Sequence, residues 1–304
     1  MRYGNCISYK DTKRVKILKA AGFDYVETQL ASLYTAPQSE ISDFLSALEE
    51  NNIGCEAVNV LFPGGIILTG ENAESEPELK KVRDYISAIF DKTKDLGYKV
   101  VVFGSGGARK YPDGFPKEKA VGQIIKVINE ILLPAAEKYN FTLAIEELNK
   151  GETNIINTIA EAEYIAKRVN NPKVKILADF YHIALENDDI NSLSGKGDIL
   201  AHCHIANPHK RFYPHATDKL DTINLYQKFF TSIIYAGYIS AGYERLSIEG
   251  GLGGREDLNI SKIKENLADL SEYSAEDLIF YEESEKSLDF MKRLEAASRR
   301  ILAK

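Results

Sequence analysis

The sequence predicts an α/β protein that folds as a single (β/α)8 TIM barrel. The chain has 304 residues, and a barrel of this class uses about 250 residues or more in one domain. Short apolar runs alternate with longer amphipathic segments, an order that is typical of a parallel sheet with crossover helices. Eight such apolar runs are present. We therefore expect one domain over residues 1–304 and a closed barrel.

Strands and helices are expected to alternate along the whole chain. The predicted strands are Arg2–Ser8, Tyr25–Gln29, Gly54–Leu61, Val100–Phe103, Thr142–Ile145, Val174–Ala178, Leu200–Ile205 and Leu246–Ile248. The predicted helices are Thr12–Ala21, Ser39–Asn51, Glu78–Leu96, Lys117–Tyr139, Thr158–Val169, Thr222–Ala236 and a terminal helix that ends near Ala303. In Ser39–Asn51, for example, apolar residues recur at i, i+3, i+4 and i+7, which marks one helical face. The sixth helix, around Asp189–Leu193, has a weak pattern.

Composition argues against several classes of partner. A formal net charge of −7 at pH 7 provides no overall positive field that would attract nucleic acid. The N-terminal segment lacks the apolar core of a signal peptide, and no stretch approaches the roughly 18 apolar residues that span a bilayer. Cys6, Cys55 and Cys203 lack paired spacing and are expected to be buried free thiols. We expect a cytoplasmic protein with no nucleic-acid or membrane partner.

Four successive predicted strands each deliver an acid or a histidine to one rim. Strand five runs into Glu146 and Glu147, strand six into Asp179, strand seven carries His202 and His204, and strand eight ends at Glu249. A barrel places its catalytic groups at the carboxyl ends of its strands. Any one of these acids could instead cap the following helix, but four on consecutive strands favour a shared role. Carboxylates beside apolar strands are costly to bury unpaired. The pattern predicts one divalent metal ion, with Mn²⁺ favoured over Mg²⁺, Co²⁺ and Zn²⁺.

The motifs around these residues resemble those of a known family. Glu146–Asn154 reads E-E-L-N-K-G-E-T-N and resembles the E-P-x-N-R-x-E-T-N segment of the sugar phosphate isomerase/epimerase group. Asp179–His182 is similar to its D-x-x-H, His202–Ala206 to its H-x-H-I-A, and Ser247–Gly250 to its S-I-E-G. This group belongs to the xylose isomerase-like TIM-barrel superfamily and includes the D-tagatose 3-epimerase-like enzymes.

The resemblance implies a metal-dependent sugar isomerase or 3-epimerase that acts on a small ketose through a cis-enediolate. Such a reaction needs groups that move a proton at carbon and a cation that stabilises the charge on oxygen. The resemblance implies the metal ligands Glu146, Asp179, His204 and Glu249, the acid/base pair Glu146 and Glu249, and the substrate contacts Glu152, His182 and Arg211. Glu147 and Lys150 stand where the family usually has Pro and Arg, so the segment after strand five departs from the family pattern.

Other functions remain open on the same residues. An inosose dehydratase-like enzyme or a sugar-modifying lyase would reuse the metal and the carboxylates but expel a leaving group. A non-catalytic sugar-binding barrel is a further alternative.

His202 lies two residues before His204. It is expected to hydrogen-bond a carboxylate of a neighbouring strand rather than to bind the metal. The partner is expected to be a small sugar, and the chain is expected to form a homo-oligomer, either a dimer or a tetramer.

Three glycine-rich segments follow predicted strands and therefore lie at the expected active-site rim. Gly104–Lys110 is expected to form an active-site wall, with phosphate binding as the alternative. Phe62–Ser75 and Gly250–Ile260 are candidates for lids. For the first of these, an apolar tip packed permanently on the barrel or on another subunit is the alternative.

Overall fold

The computed structural model describes residues 1–253, 263, 266, 267 and 270–303. In this part of the chain, eight parallel strands close into a barrel in sequence order, and the last strand pairs with the first. The strands are Arg2–Cys6 (β1), Tyr25–Gln29 (β2), Gly54–Asn59 (β3), Val100–Phe103 (β4), Thr142–Glu146 (β5), Val174–Asp179 (β6), Leu200–Ile205 (β7) and Arg245–Ile248 (β8). The predicted fold class and all eight predicted strands are confirmed.

Helices surround this barrel. They are Thr12–Ala21 (α1), Leu30–Tyr34 (α2), Gln38–Glu50 (α3), Glu76–Thr93 (α4), Gly106–Arg109 (α5), Lys117–Val127 (α6), Leu133–Lys138 (α7), Ile159–Val169 (α8), Phe180–Glu186 (α9), Leu220–Tyr235 (α10) and Ala275–Leu302 (α11). The prediction for the sixth helix was wrong in position. The helix after β6 is α9, which begins directly after the strand, and the segment near Asp189 forms only a 3-10 turn, Ile190–Leu193.

The long helix predicted over Lys117–Tyr139 is interrupted in its middle. Ile128–Leu132 forms a π-helical turn between α6 and α7. Pro134 lies just beyond this turn, and a proline inside a helix lacks an N–H donor and crowds the carbonyl four residues earlier. A wider turn relieves that crowding at a local cost in regularity. The apolar pattern predicted the helical face correctly, because both sides of the interruption bury residues against the barrel.

The core has an inner and an outer layer. A small cluster that includes Tyr25, Val102 and Leu177 fills the barrel interior, while a larger cluster lies between strands and helices. Gly4 leaves room for the ring of Tyr25, since a Cβ at that position would overlap the ring. The three cysteines are free thiols. Throughout the described ranges, every helix is too short or too polar to cross a membrane.

The loop Phe62–Ser75 packs onto the barrel rim. Ile66 and Leu68 are buried, and Leu68 N donates to Ala108 O at 2.9 Å. Gly70 N donates to Gln123 Oε1 at 2.8 Å. Ile67, between Ile66 and Leu68, is exposed. Closure of this loop over a ligand and a permanently packed tip both stay predictions. Most of the second lid candidate, Gly250–Ile260, lies outside the described residues.

Candidate active site

Four side chains converge where strands β5 to β8 end. Glu146 and Asp179 are the last residues of β5 and β6, His204 lies near the end of β7, and Glu249 directly follows β8. One candidate ligand atom from each of the four lies within 4.8 Å of the others. Because parallel strands point the same way around a barrel, their carboxyl ends share one rim. The structure therefore brings together the four predicted metal ligands, whose ligand role remains a prediction.

The donor atoms of this cluster suit a divalent cation. His204 Nδ1 lies 3.3 Å from Glu146 Oε1 and 3.4 Å from Glu249 Oε2. Asp179 Oδ1 accepts the Tyr181 N–H at 2.7 Å and so caps α9. Asp179 Oδ2 is buried and has no hydrogen-bond partner among the described residues. Capping of α9 thus uses Asp179 Oδ1 and leaves Oδ2 available as a ligand atom. A set of three carboxylates and one imidazole fits Mn²⁺ or a similar ion.

Burial and neighbouring charges shift the pKa values of the three carboxyl groups in different directions. Burial, together with the charge of Glu249, raises the pKa of Glu146 above its ordinary value. Burial also raises the pKa of Asp179 to about 6. Burial alone would raise the pKa of Glu249, but His204 and Arg211 outweigh it and lower that pKa to about 2. The two glutamates that flank the cluster are therefore chemically distinct.

Beneath the cluster, Glu27 of β2 accepts hydrogen bonds from two histidines. Its carboxylate lies 2.8 Å from His202 Nε2 and 3.0 Å from His204 Nε2. His202 therefore supports a carboxylate as expected, but that carboxylate comes from β2 and not from a neighbouring strand. Inward-facing side chains of nonadjacent strands meet inside a barrel. Sequence reasoning missed Glu27, and an acid inside an apolar strand was the available signal.

The predicted substrate contacts Glu152, His182 and Arg211 lie beside the same cluster. Arg211 Nη1 lies 3.3 Å from Glu152 Oε1, and Arg211 Nη2 bonds Glu249 Oε2. The backbone N–H of Asn149 donates to His182 Nδ1 at 3.1 Å. This bond places the proton of the neutral imidazole on His182 Nε2, which faces Asp179 Oδ2 at 3.5 Å. A hydrogen-bond donor (His182), a cation (Arg211) and an acceptor (Glu152) thus border the cluster. Their roles in substrate binding stay predictions.

Glu147, which departs from the family pattern, has a defined place in the structure. Its side chain is fully buried, and Glu147 Oε1 accepts the backbone N–H of Asp179 at 2.8 Å. Burial raises the pKa of this carboxyl group well above its ordinary value. Lys150, the second departure, is exposed and pairs with Glu186 at 2.9 Å. Glu147 thus ties the end of β5 to the end of β6, whereas Lys150 lies outside the cluster.

The Gly104–Lys110 segment forms the wall beside Glu146. Arg109 is fully buried, and its Nη1 donates at 2.8 Å to Phe103 O and at 2.8 Å to Glu146 O. Burial lowers the pKa of Arg109 to about 10. Its guanidinium group therefore joins the ends of β4 and β5. Phosphate binding by backbone N–H groups of this loop stays an alternative prediction.

A cavity of about 540 Å³ opens beside the cluster. Glu249 and Arg211 border it on one side, and residues that include Ser8, Gln29 and Asn59 line it from β1 to β3. Asn59 Nδ2 donates to Glu249 Oε1 at 3.0 Å, a contact that the sequence did not predict. Hydroxyl and amide groups on the walls suit a small ligand that carries several hydroxyls.

Comparisons with known proteins concern the family and the fold of the chain. A family model described as xylose isomerase-like TIM barrel matches residues 15–262. The 3-dehydro-D-guloside 4-epimerase of Escherichia coli (strain K12) is 29% identical over 122 residues, which cover 40% of this chain and 44% of that protein. The D-psicose 3-epimerase of Agrobacterium fabrum is 26% identical over 204 residues, which cover 62% of this chain and 65% of that protein. The chain thus matches less than two thirds of the length of each of these relatives.

A solved structure extends the likeness to nearly the whole chain. The crystal structure of D-psicose 3-epimerase with D-tagatose from Clostridium cellulolyticum H10 superposes with a TM-score of 0.72 at 18% sequence identity. The match covers 97% of this chain and 99% of that one. At this level of identity the likeness concerns the fold.

Proposed function

The chain belongs to the xylose isomerase-like TIM barrel family, and we propose that it is a divalent-metal-dependent sugar epimerase or isomerase. Membership of the family confirms the assignment made from the sequence motifs. The proposed substrate is a small sugar that carries a carbonyl group, and the proposed reaction moves a proton at the carbon beside that carbonyl.

One observation supports this proposal above all. Glu146 and Glu249 come from β5 and β8, and each contributes an oxygen to the same compact cluster at the mouth of the barrel. To invert a carbon centre, one group must remove a proton from one face and another must return a proton to the opposite face. Two carboxylates that approach one point from the ends of β5 and β8 support the assignment of these two steps to Glu146 and Glu249.

The relatives point to the same class of reaction. Their names describe a 4-epimerase of a 3-dehydro sugar and a 3-epimerase of the ketose D-psicose. In both cases the inverted carbon is next to a carbonyl carbon, whose electron-withdrawing effect acidifies the C–H bond. We therefore propose this shared chemistry for the chain without choosing between the two kinds of sugar.

Each residue of the site has a proposed task. Glu146, Asp179, His204 and Glu249 would hold one divalent ion, proposed as Mn²⁺, which supplies Lewis-acid stabilisation of negative charge on sugar oxygens. Glu146 and Glu249 would remove and return the proton at carbon. His182 Nε2–H would donate to a sugar oxygen, Arg211 would bind another through its guanidinium group, and Glu152 would accept from a hydroxyl.

A panel of sugars tests this function. Protein stripped with a chelator and reloaded with Mn²⁺ should bind about one ion per chain, as expected for one mononuclear site, and should interconvert a ketose or 3-dehydro sugar with its epimer. Stripped protein should lose that activity and regain it with Mn²⁺. Reloaded protein that leaves every such sugar unchanged would contradict the proposal, and loss of water from the sugar would favour a dehydratase or lyase.

A further inference from the structure

Glu27 lies inside the barrel below the proposed metal site and is completely buried. It accepts three hydrogen bonds. Glu27 Oε1 receives one from His204 Nε2 at 3.0 Å, and Glu27 Oε2 receives one from His202 Nε2 at 2.8 Å and one from Ser247 Oγ at 2.6 Å. A carboxylate can accept all three at once because it has only acceptor sites.

These contacts define which nitrogen of His204 faces the cluster. Its Nε2 is directed at Glu27, whereas its Nδ1 lies 3.3 Å from Glu146 Oε1. An imidazole that keeps a proton on Nε2 for the carboxylate has its lone pair on Nδ1. Carboxylates that hold a metal-binding histidine in this way fix its tautomer and ring orientation and increase its basicity.

The geometry also distinguishes this role from direct metal binding by Glu27. Glu27, Cys6 and His204 form a second group of candidate ligand atoms. Two histidines and Ser247 already donate to the two oxygens of Glu27, so its acceptor sites are used by hydrogen bonds from the protein.

We infer that Glu27 is a positioning residue of the metal centre, which holds His204 as the Nε2–H tautomer and presents Nδ1 to the ion. This inference rests on the proposed metal site and is independent of the sugar reaction. This hydrogen-bond network requires a side chain at position 27 that accepts from all three donors. An amide at position 27 would have one acceptor oxygen and an NH₂ group facing donors, so it could not accept from both histidines and the serine.

The first experiment compares the affinity for Mn²⁺, measured by competition with a chelator, in wild type, Glu27→Gln and Glu295→Gln. Glu295 is a matched control, since it is also a buried carboxylate that accepts from several donors, Tyr3 Oη at 2.6 Å among them, but it lies on the terminal helix away from the cluster. Glu27→Gln should weaken Mn²⁺ binding by about 10- to 100-fold. Glu295→Gln should bind Mn²⁺ as wild type does.

The second experiment needs no variant of Glu27, so it remains decisive if Glu27→Gln does not fold. In ¹⁵N-histidine-labelled wild type loaded with Zn²⁺, which is diamagnetic, the imidazole NMR signals report protonation and coordination of each nitrogen. Signals absent from His204→Gln are assigned to His204. We expect a proton on Nε2 and the metal on Nδ1. Coordination through Nε2 would overturn the inference.

The outcomes separate this inference from the proposed function. A Glu27→Gln protein that binds Mn²⁺ within threefold of wild type overturns the positioning role. Two ions per wild-type chain, with one lost in Glu27→Gln, would make Glu27 a ligand instead of a positioning residue. A wild type that binds no metal overturns the metal site and this inference together. Metal binding that depends on Glu27 without sugar turnover supports the inference and contradicts only the proposed reaction.

Discussion

Replacement of Gly104 by alanine should displace one of the two proposed catalytic carboxylates without removing it. A Cβ at this position would lie 2.9 Å from Glu146 Cδ and closer still to Oε2. Carbon atoms in contact are normally about 3.5–4.0 Å apart, so the carboxylate group must move by roughly 1 Å. Because the obstructed atoms are the end of a side chain, the fold should survive. A shift of this size at a reacting centre costs about 100-fold in rate.

The assay measures epimerisation rate and Mn²⁺ affinity in Gly104→Ala and in Gly107→Ala. Gly107 is the matched control, because it lies in the same segment and a Cβ at this position would have no atom of the described residues within 4 Å. We expect slower turnover and weaker Mn²⁺ binding for Gly104→Ala, with unchanged urea unfolding, and wild-type behaviour for Gly107→Ala. Wild-type rate and affinity in Gly104→Ala would refute the placement of Glu146 in the site.

Two further variants test other contacts. Burial would raise the pKa of Glu295, but hydrogen bonds from the N-terminus, Tyr3 and Arg299 outweigh it and lower that pKa. Its stabilising effect is therefore complete above the unfolded pKa of about 4.3 and is lost as the pH falls through the lower folded value. Urea titrations at pH 7 should show Glu295→Gln to be less stable by about 1–3 kcal/mol, and equal stability would contradict these contacts. Arg211→Lys keeps the charge but loses the forked geometry that reaches Glu152 and Glu249. It should raise KM for the sugar about tenfold, as expected for one lost charge-assisted hydrogen bond, and an unchanged KM would argue against substrate contact by Arg211.

The barrel and its four-residue cluster could be predicted from the sequence because both follow from local patterns. Apolar runs located the strands, and the residue that ends a barrel strand is placed at the rim by the strand itself. Glu146 and Asp179 therefore needed no knowledge of tertiary contacts. The position of α9 was predicted wrongly because this helix, which Asp179 caps, has only 7 residues. A helix of that length is too short to show a clear helical repeat of apolar residues.

The contacts around the cluster could not be predicted in this way. Glu27 and His202 are 175 positions apart in the chain. Asn59, the last residue of β3, donates a hydrogen bond to Glu249, which follows β8. Such pairs depend on barrel closure and on the register of every strand between them. Arg109 is a second example, since nothing in the sequence of this glycine-rich loop indicates that its guanidinium group donates to the backbone carbonyl groups of Phe103 and Glu146.

Exchange of hydrogen at carbon tests the central claim most directly. Mn²⁺-loaded protein is incubated in D₂O with candidate ketoses and 3-dehydro sugars, and NMR follows deuterium at the carbon beside the carbonyl. We predict incorporation by wild type with at least one sugar and roughly 100-fold slower turnover in Glu146→Gln and Glu249→Gln, even with Mn²⁺ restored, because general-base catalysis is lost. Metal-loaded wild type that incorporates no deuterium into any of these sugars, or a metal-loaded Gln variant with full turnover, would contradict the two-carboxylate mechanism.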